Sequence, residues 1–286
     1  MAICEVCFHH CDIPEGRRGF CGARTSVGGR VVPENYGKIT ALALDPIEKK
    51  PLRRFHPGGM ILSVGSYGCN LRCPFCQNHG ISWSAEAMGY AKRAETVTPQ
   101  ALAETVAKLV PQGNLGLAFT YNEPLIGWEF VRDAAALVHD AGLMNVLVTN
   151  GTATLPVLEA LAPHIDAMNI DLKGFTERYY TQVLGGNLDM VKAFIARAVQ
   201  LCHVELTTLI VPGENDSEDE MRALTGWVAG LTDEEGHIIG RRIPLHISRF
   251  FPRFRMTDRE ATEIRHVYRL AEVAREELEY VYTGNC

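Results

Sequence analysis

The sequence lacks the features of a membrane or secreted protein. No uninterrupted apolar run approaches the roughly 18 residues that cross a bilayer. The N-terminus, MAICEVC, has no basic segment followed by an apolar stretch, so no secretory signal is visible. No basic block marks a nucleic-acid surface, and the formal net charge is −6. We therefore expect a cytoplasmic protein, with neither a membrane nor a nucleic acid among its partners.

Internal repeats and low-complexity segments are also absent. Apolar residues make up 47% of the 286 residues and charged residues 22%, which is the balance of an ordinary globular protein. A chain of this length can bury a large core, and a single barrel-sized domain would use most of it.

Cysteine, in contrast, is abundant and clustered. Of the nine cysteines, four fall within residues 4–21 and three within residues 69–76. A disulfide framework is unexpected in the reducing cytoplasm, so the clusters indicate metal or iron–sulfur binding.

Six apolar segments have the length and composition of buried strands. They are residues 60–66, 115–120, 145–149, 165–172, 203–211 and 243–248. Helical patterns separate most of them: two begin at the capping residues Thr98 and Ser217, and others cover residues 127–141, 153–162, 188–201 and 258–277. This alternation predicts parallel βαβ units, wound into either a barrel or an open sheet.

Each predicted strand leads into a polar or glycine-containing motif. In chain order these are YGCNLRCPFCQN, YNEP, TNG, DLKG, VPGEND and, with His246, SRFFPRF. The carboxyl ends of parallel strands share one edge of a sheet, where α/β proteins build their active sites. The motifs therefore predict one site at that edge.

Cys69, Cys73 and Cys76 have the spacing C-x3-C-x2-C, and three thiolates on so short a loop can bind one face of a cluster. A [4Fe–4S] cluster normally takes four cysteines, so three would leave one iron open. The alternatives are a zinc site completed by a distant ligand or three unrelated core cysteines.

The cysteine motif directly follows the first predicted strand, and Phe75 precedes its last cysteine. This arrangement resembles the signature of the radical S-adenosylmethionine (SAM) superfamily. The resemblance implies a [4Fe–4S] cluster and SAM as cofactors. It also implies reductive cleavage of SAM to a 5′-deoxyadenosyl radical, which abstracts hydrogen from a substrate.

A closer resemblance covers nearly the whole chain. The segments CEVCFHHC, GRRGFCGAR, GCNLRCPFCQN, TYNEP, VTNG, NIDLKGF, PGEND, PLHISRFFP and YVYTGN are similar to the AmmeMemoRadiSam-system radical SAM enzymes, which are related to pyruvate formate-lyase activating enzymes. We therefore expect an α/β fold, a partial (β/α)6 TIM-type barrel over residues 60–286, with a Cys-rich metal-binding extension over residues 1–59.

The resemblance implies which residues contact SAM. Glu123 would meet the amino group, Lys173 the carboxylate with Asp171 orienting it, and His246 the nucleoside. The full set of expected contacts is Phe75, Asn122, Glu123, Thr149, Asn150, Gly151, Asp171, Lys173 and His246. For each, a purely structural role in a turn, a loop or the core is the alternative. Val148 stands where the family has a second acidic residue of a monovalent cation site.

Cys4, Cys7, Cys11 and Cys21 have the spacing C-x2-C-x3-C-x9-C. Four thiolates in so short a segment can close a zinc site, or they can bind an auxiliary iron–sulfur cluster; a segment without metal is the third option.

The expected function is hydrogen abstraction from an unidentified substrate, with a protein as the leading choice and a reductant such as flavodoxin or ferredoxin as electron donor. The rival functions are a strict glycyl-radical-enzyme activase and a non-catalytic zinc or iron–sulfur scaffold.

Overall fold

A computed structural model describes residues 1–286, and one eight-stranded sheet forms its centre. The strands are β1 Ala41–Pro46, β2 Met60–Gly65, β3 Asn114–Phe119, β4 Met144–Thr149, β5 Ala167–Asp171, β6 His203–Ile210, β7 Leu245–Arg249 and β8 Val281–Gly284. Their order in the sheet follows the chain from β1 to β8. Strands β2 to β8 are parallel, and β1 is antiparallel to β2.

Six longer helices connect the strands. They are α1 Pro99–Lys108, α2 Trp128–Asp140, α3 Leu155–Leu161, α4 Leu188–Leu201, α5 Glu218–Ala229 and α6 Ile264–Arg275. The predicted caps form, because Thr98 accepts from the amide of Ala101 and Ser217 from that of Glu220, each at 3.1 Å. None of the helices is both long enough and apolar enough to cross a membrane.

Short helices, turns and two-stranded pairs lie outside the main sheet and its six helices. One-turn helices cover His79–Ser82 and Tyr90–Arg93, a π-helix covers Tyr179–Leu184, and 3-10 turns cover Ile47–Lys49, Ala87–Gly89, Val110–Gln112, Pro124–Gly127, Ala162–His164 and Gly240–Arg242. Two-stranded pairs join Ala2–Ile3 to Asp12–Ile13, Arg24–Val27 to Arg30–Pro33, and Lys38–Ile39 to Glu95–Thr96.

The inner face of the sheet is closed at the amino end of its strands. A fully buried cluster there consists of Ile47, Leu52, Ile61, Ala118, Val146 and Ala167. Ile47 and Leu52 come from the connection between β1 and β2, so this connection forms the floor of the barrel. Each large aliphatic side chain in it contributes about 1.5–3 kcal/mol through burial. The opposite, carboxyl edge of the strands is left for the site.

The predicted fold class is confirmed. All six predicted strands and the predicted helices are present, and β1 does not pair with β8, so the barrel is partial. The six predicted strands include neither β1 nor β8. The predicted boundary between the N-terminal extension, residues 1–59, and the barrel, residues 60–286, stays a prediction. The main sheet itself begins at Ala41.

Candidate functional site

The cysteine loop, residues 67–78, follows β2 at the carboxyl edge of the sheet. All three of its cysteines are free, with Cys73 buried and Cys69 and Cys76 half-buried. Burial raises the pKa of each thiol, to about 11 for Cys73. Metal binding at this loop must therefore release protons from the thiols.

Asn122 braces the start of this loop. Its side-chain oxygen accepts from the amide of Ser66 at 2.8 Å, and its amide nitrogen donates to the carbonyls of Gly68 and Glu123, each at 3.2 Å. Every polar atom of this side chain is thus bonded within the protein. Asn122 therefore positions the loop, and its expected contact with SAM stays a prediction.

Glu123 joins β3 to the end of β4. Its carboxylate accepts from the Thr149 hydroxyl at 2.6 Å, the Asn150 amide at 2.8 Å and the Leu125 amide at 3.0 Å. Burial raises the pKa of Glu123 to about 7, against the lowering effect of these donors. The carboxylate therefore fixes the TNG motif and is itself held in one orientation.

Asn150 connects this network to the cysteine loop. Its side-chain nitrogen lies 2.9 Å from the Asn70 side-chain oxygen and 3.8 Å from the Cys69 sulfur. The next residue, Gly151, has a positive φ of 66°, and a Cβ there would lie 2.9 Å from Ile170. Only glycine fits this turn without strain, so the backbone after β4 stays close to the loop.

Asp171 is the last residue of β5, and Lys173 follows two residues later. The Lys173 ammonium is 2.8 Å from the Asp171 carboxylate. Burial would lower the pKa of Lys173, but Asp171 and Cys73 outweigh it and raise the pKa well above its usual value. A fixed cation therefore lies beside the cysteine loop.

The π-helix supports the other side of the cysteine loop. The Arg72 amide donates to the carbonyl of Leu184 at 2.7 Å, and Gly174 leaves room for the Tyr179 ring, which a Cβ would meet at 2.6 Å. The Tyr179 hydroxyl is buried without a hydrogen-bond partner and interacts electrostatically with Cys73. π-Helical turns are frequent at functional sites.

The N-terminal cysteines pack against the cysteine loop. The Cys69 amide donates to the carbonyl of Cys21 at 3.2 Å, and the Cys4 amide to that of Cys11 at 2.9 Å. Cys4, Cys7 and Cys21 are buried and Cys11 is half-buried. No three His, Cys, Asp or Glu side chains of the chain converge as the ligands of a single metal ion would. The choice between zinc and a cluster at these cysteines stays open.

Phe75 and His246 complete the predicted set. Phe75 is buried with its ring edge-on to Phe250 at 6.2 Å, so its contact with adenine stays a prediction. His246 is the second residue of β7, and its Nε2 lies 2.6 Å from the Glu205 carboxylate. Its contact with the nucleoside of SAM also stays a prediction.

Glu205 also accepts from the amides of Arg53 and Arg54 in the connection that floors the barrel, at 2.9 and 2.7 Å. Through Glu205, His246 is thus linked to the floor of the barrel. The pairing gives its buried ring nitrogen the partner that a buried polar group needs.

Comparison with known proteins identifies the family. The family model described as the radical SAM superfamily matches residues 63–225, more than half of the chain. This chain belongs to the radical SAM superfamily. An uncharacterized protein of Methanocaldococcus jannaschii is 38% identical over 285 residues, which cover 99% of this chain and 80% of that protein.

Two further proteins are similar to this chain. The pyruvate formate-lyase-activating enzyme of Clostridium pasteurianum is 25% identical over 177 residues, which are 59% of this chain and 69% of that enzyme. SuiB of Streptococcus suis, solved with S-adenosylmethionine, is 12% identical with a TM-score of 0.57 over 77% of this chain and 48% of SuiB. SuiB therefore supports the fold alone, and the chain spans about half of its length.

Membership of the superfamily implies SAM and a [4Fe–4S] cluster, and the residues present fit that cluster. Three free thiols share one loop, and each thiol of such a cluster binds a different iron, so they need not converge on one point. The buried, unpartnered Tyr179 hydroxyl, on the π-helix that supports this loop, is a donor suited to a cluster sulfur. The sequence missed Tyr179, because one tyrosine in a helical segment carries no motif.

Proposed function

We propose that the chain is a radical SAM enzyme that cleaves SAM reductively at a [4Fe–4S] cluster on Cys69, Cys73 and Cys76. When bound, the reduced cluster supplies the electron that splits SAM into methionine and a 5′-deoxyadenosyl radical, which takes hydrogen from the substrate. One observation supports this most strongly: the ends of β3, β4 and β5 meet around the loop that carries the three thiols.

The chain's own side chains then have separate tasks in this proposal. The Lys173 ammonium, held by Asp171, would take the carboxylate of SAM. Glu123 keeps Thr149 and Asn150 in place and offers its remaining lone pairs to the amino group. Gly151 gives the turn after β4 its positive φ, which keeps Thr149 and Asn150 beside the cysteine loop. The floor of the barrel excludes water beneath the site.

The substrate in this proposal is a protein or peptide. SuiB has been solved with its precursor peptide SuiA, and the Clostridium pasteurianum relative is named for activating another enzyme. The latter similarity favours a second candidate, a strict glycyl-radical-enzyme activase. That candidate requires a stable glycyl radical on a partner after reaction, which electron paramagnetic resonance would detect.

A reductant such as flavodoxin or ferredoxin, a cytoplasmic location and a second metal site on Cys4, Cys7, Cys11 and Cys21 belong to the same proposal. Whether that second site takes zinc or an auxiliary cluster decides whether it braces the fold or also carries electrons.

Metal analysis tests the proposal. Anaerobically reconstituted protein should hold about four irons, lost when Cys69, Cys73 and Cys76 are replaced by alanine, plus zinc or about four further irons that survive the replacement. SAM should change the paramagnetic resonance spectrum of the reduced wild-type cluster. Iron-free protein after full reconstitution would contradict the proposal and favour the zinc scaffold.

A further inference from the structure

Beside the cysteine loop, arginines and aromatic rings alternate in one continuous stack, here named the arginine–aromatic ladder. In spatial order its members are Phe20, Arg72, Trp83, Arg255, Phe254 and His79. The Arg72 guanidinium lies 3.8 Å from the ring centre of Phe20 and 5.6 Å from that of Trp83. The Arg255 guanidinium lies 4.6 Å from Trp83 and 5.2 Å from Phe254, whose ring stacks on His79 at 4.1 Å.

The ladder is built from three distant parts of the sequence. Phe20 precedes the last N-terminal cysteine, Arg72 lies inside the cysteine loop, and Phe254 follows β7. Phe254 has a positive φ of 58°, a conformation that a non-glycine residue keeps only where its surroundings hold it. The amide of the next residue, Arg255, donates to the carbonyl of Pro74 at 2.9 Å. The ladder is therefore a fixed part of the loop's support.

The arginines of this surface are not neutralised by carboxylates. Arg72 donates to the carbonyls of Cys69 and Leu71 at 2.8 and 2.7 Å, and to that of Phe20. Arg253 and Arg255 are exposed, and the ion pairs of the chain involve other arginines. A local excess of positive charge thus lies beside the cysteine loop of a chain whose net charge is −6.

The ladder reaches the cysteine loop from outside the barrel. It hydrogen-bonds backbone carbonyls of the loop, that of Cys69 through the Arg72 guanidinium and that of Pro74 through the Arg255 amide. The side chain of Asn150, which follows β4 of the barrel, instead lies 3.8 Å from the Cys69 sulfur. A partner on the ladder would be separated from the cluster by a single stretch of loop, and it would not have to enter the barrel. Electron transfer requires a short distance between the docked partner and the cluster. A substrate that loses a hydrogen atom must instead lie on the side where SAM binds.

We propose that the arginine–aromatic ladder is the docking face for an acidic one-electron carrier protein, an inference that rests on the proposed function. The carrier gives one electron to the cluster, so the carrier is oxidised and the cluster reduced without any bond being made or broken. Complementary charge steers such encounters and raises their rate.

A single-stranded nucleic acid fits this surface less well. Bases bind by stacking on free aromatic faces. Phe20 keeps 40% of its surface exposed, but Arg72 and His9 both pack against its ring, and His79 stacks on Phe254. The exposed guanidinium groups of Arg253 and Arg255 suit the carboxylates of a protein surface.

The test compares cluster reduction by a recombinant flavodoxin with reduction by dithionite, each followed through the visible absorbance of the reconstituted holoprotein. Arg255→Glu and Arg253→Glu reverse charges on this face. Arg242→Glu is the matched control, because Arg242 is exposed at the amino end of β7, opposite the cluster. Flavodoxin binding is measured by calorimetry at low and high salt.

We expect Arg255→Glu to slow reduction by flavodoxin about tenfold or more, while dithionite reduces the variant and the wild type equally. High salt should weaken flavodoxin binding to wild-type protein, a readout that does not depend on any variant. An unchanged flavodoxin rate, an equal fall for Arg242→Glu, or salt-independent binding would overturn the inference, as would tighter binding to single-stranded RNA. Failure to cleave SAM with dithionite would instead count against the proposed function.

Discussion

The ammonium of Lys173 lies 2.8 Å from the carboxylate of Asp171, at the end of β5 and beside the cysteine loop. Lys173 follows the last residue of β5 by two positions, and its ammonium turns back to Asp171, while neighbouring Cys73 further favours the charged form. The arrangement holds a cation in a fixed direction at the edge where SAM is proposed to bind.

Lys173→Met should weaken SAM binding. A charge-assisted hydrogen bond contributes about 1.5–3 kcal/mol, so we expect the dissociation constant to rise roughly tenfold to a hundredfold. Equilibrium binding of SAM to the reconstituted protein measures this. Lys108→Met, an exposed lysine at the end of α1, is the control. Equal affinity in wild type and Lys173→Met would remove Lys173 from the site.

Glu205→Gln should lower the free energy of unfolding. Burial opposes ionisation of Glu205, but hydrogen bonds from His203, His246 and the amides of Arg53 and Arg54 outweigh it and lower its pKa to about 2. In the unfolded chain the pKa of a glutamate is about 4.3. The ionised Glu205 therefore contributes about 3 kcal/mol to the free energy of unfolding above pH 4.3, and this contribution is lost as the pH falls towards 2.

Urea unfolding at several pH values measures this effect. The difference between wild type and Glu205→Gln should be full at pH 7 and should shrink progressively below pH 4.3. A difference that is constant with pH would mean that the carboxylate charge contributes nothing. Glu234→Gln, at an exposed surface pair, is the control and should change stability by less than about 1 kcal/mol.

Tyr179→Phe should shift the midpoint potential of the cluster to more negative values while leaving the stability of the metal-free protein nearly unchanged. Its hydroxyl has no partner in the chain, so its removal breaks no hydrogen bond of the metal-free protein, whereas hydrogen bonds to cluster sulfurs raise the potential.

A potentiometric titration of the reconstituted cluster measures this shift, and a substitution of the neighbouring Tyr180 is the control. Its hydroxyl accepts from the Lys173 amide at 3.1 Å, so Tyr180→Phe should cost about 1 kcal/mol of stability. An unchanged potential in Tyr179→Phe would show that its hydroxyl does not contact the cluster.

Cys11→Ser should remove the N-terminal metal and loosen the cysteine loop, because Cys21 and Cys69 are hydrogen-bonded through their backbones. We expect faster loss of iron from Cys69, Cys73 and Cys76 on exposure to a chelator. Cys202→Ser, which alters an isolated thiol after α4, controls for the loss of sulfur. Identical iron release from the two variants would mean that the N-terminal segment does not support the loop.

The fold was largely predictable because its signals are local. Apolar strands and capped helices such as those at Thr98 and Ser217 are read from short windows of sequence, and both caps form. β8 was missed because Val281–Gly284 is short and becomes a strand only by pairing with β7. The reciprocal capping box at Ser217 is incomplete, since the Glu220 carboxylate accepts from the Phe175 amide instead.

The site was predictable only to the level of its motifs. The motifs YNEP, TNG and DLKG do lie at one edge of the sheet, because parallel strands share that edge. Their contacts with SAM stay predictions. The Glu205–His246 pair was not predicted, because it depends on a connection some 150 residues away in sequence reaching Glu205 with two amides. The ladder was also missed, since Phe20, Arg72 and Arg255 become neighbours only in the folded chain.

The central claim is that Cys69, Cys73 and Cys76 hold the cluster at which SAM is cleaved. The most direct test is the amount of 5′-deoxyadenosine formed from SAM by anaerobically reconstituted protein with excess dithionite, beside the variant with all three cysteines replaced by alanine. We predict 5′-deoxyadenosine from the wild-type protein and none from the variant. Wild-type protein that holds about four irons yet forms none, or a variant that forms as much as the wild type, would contradict the account.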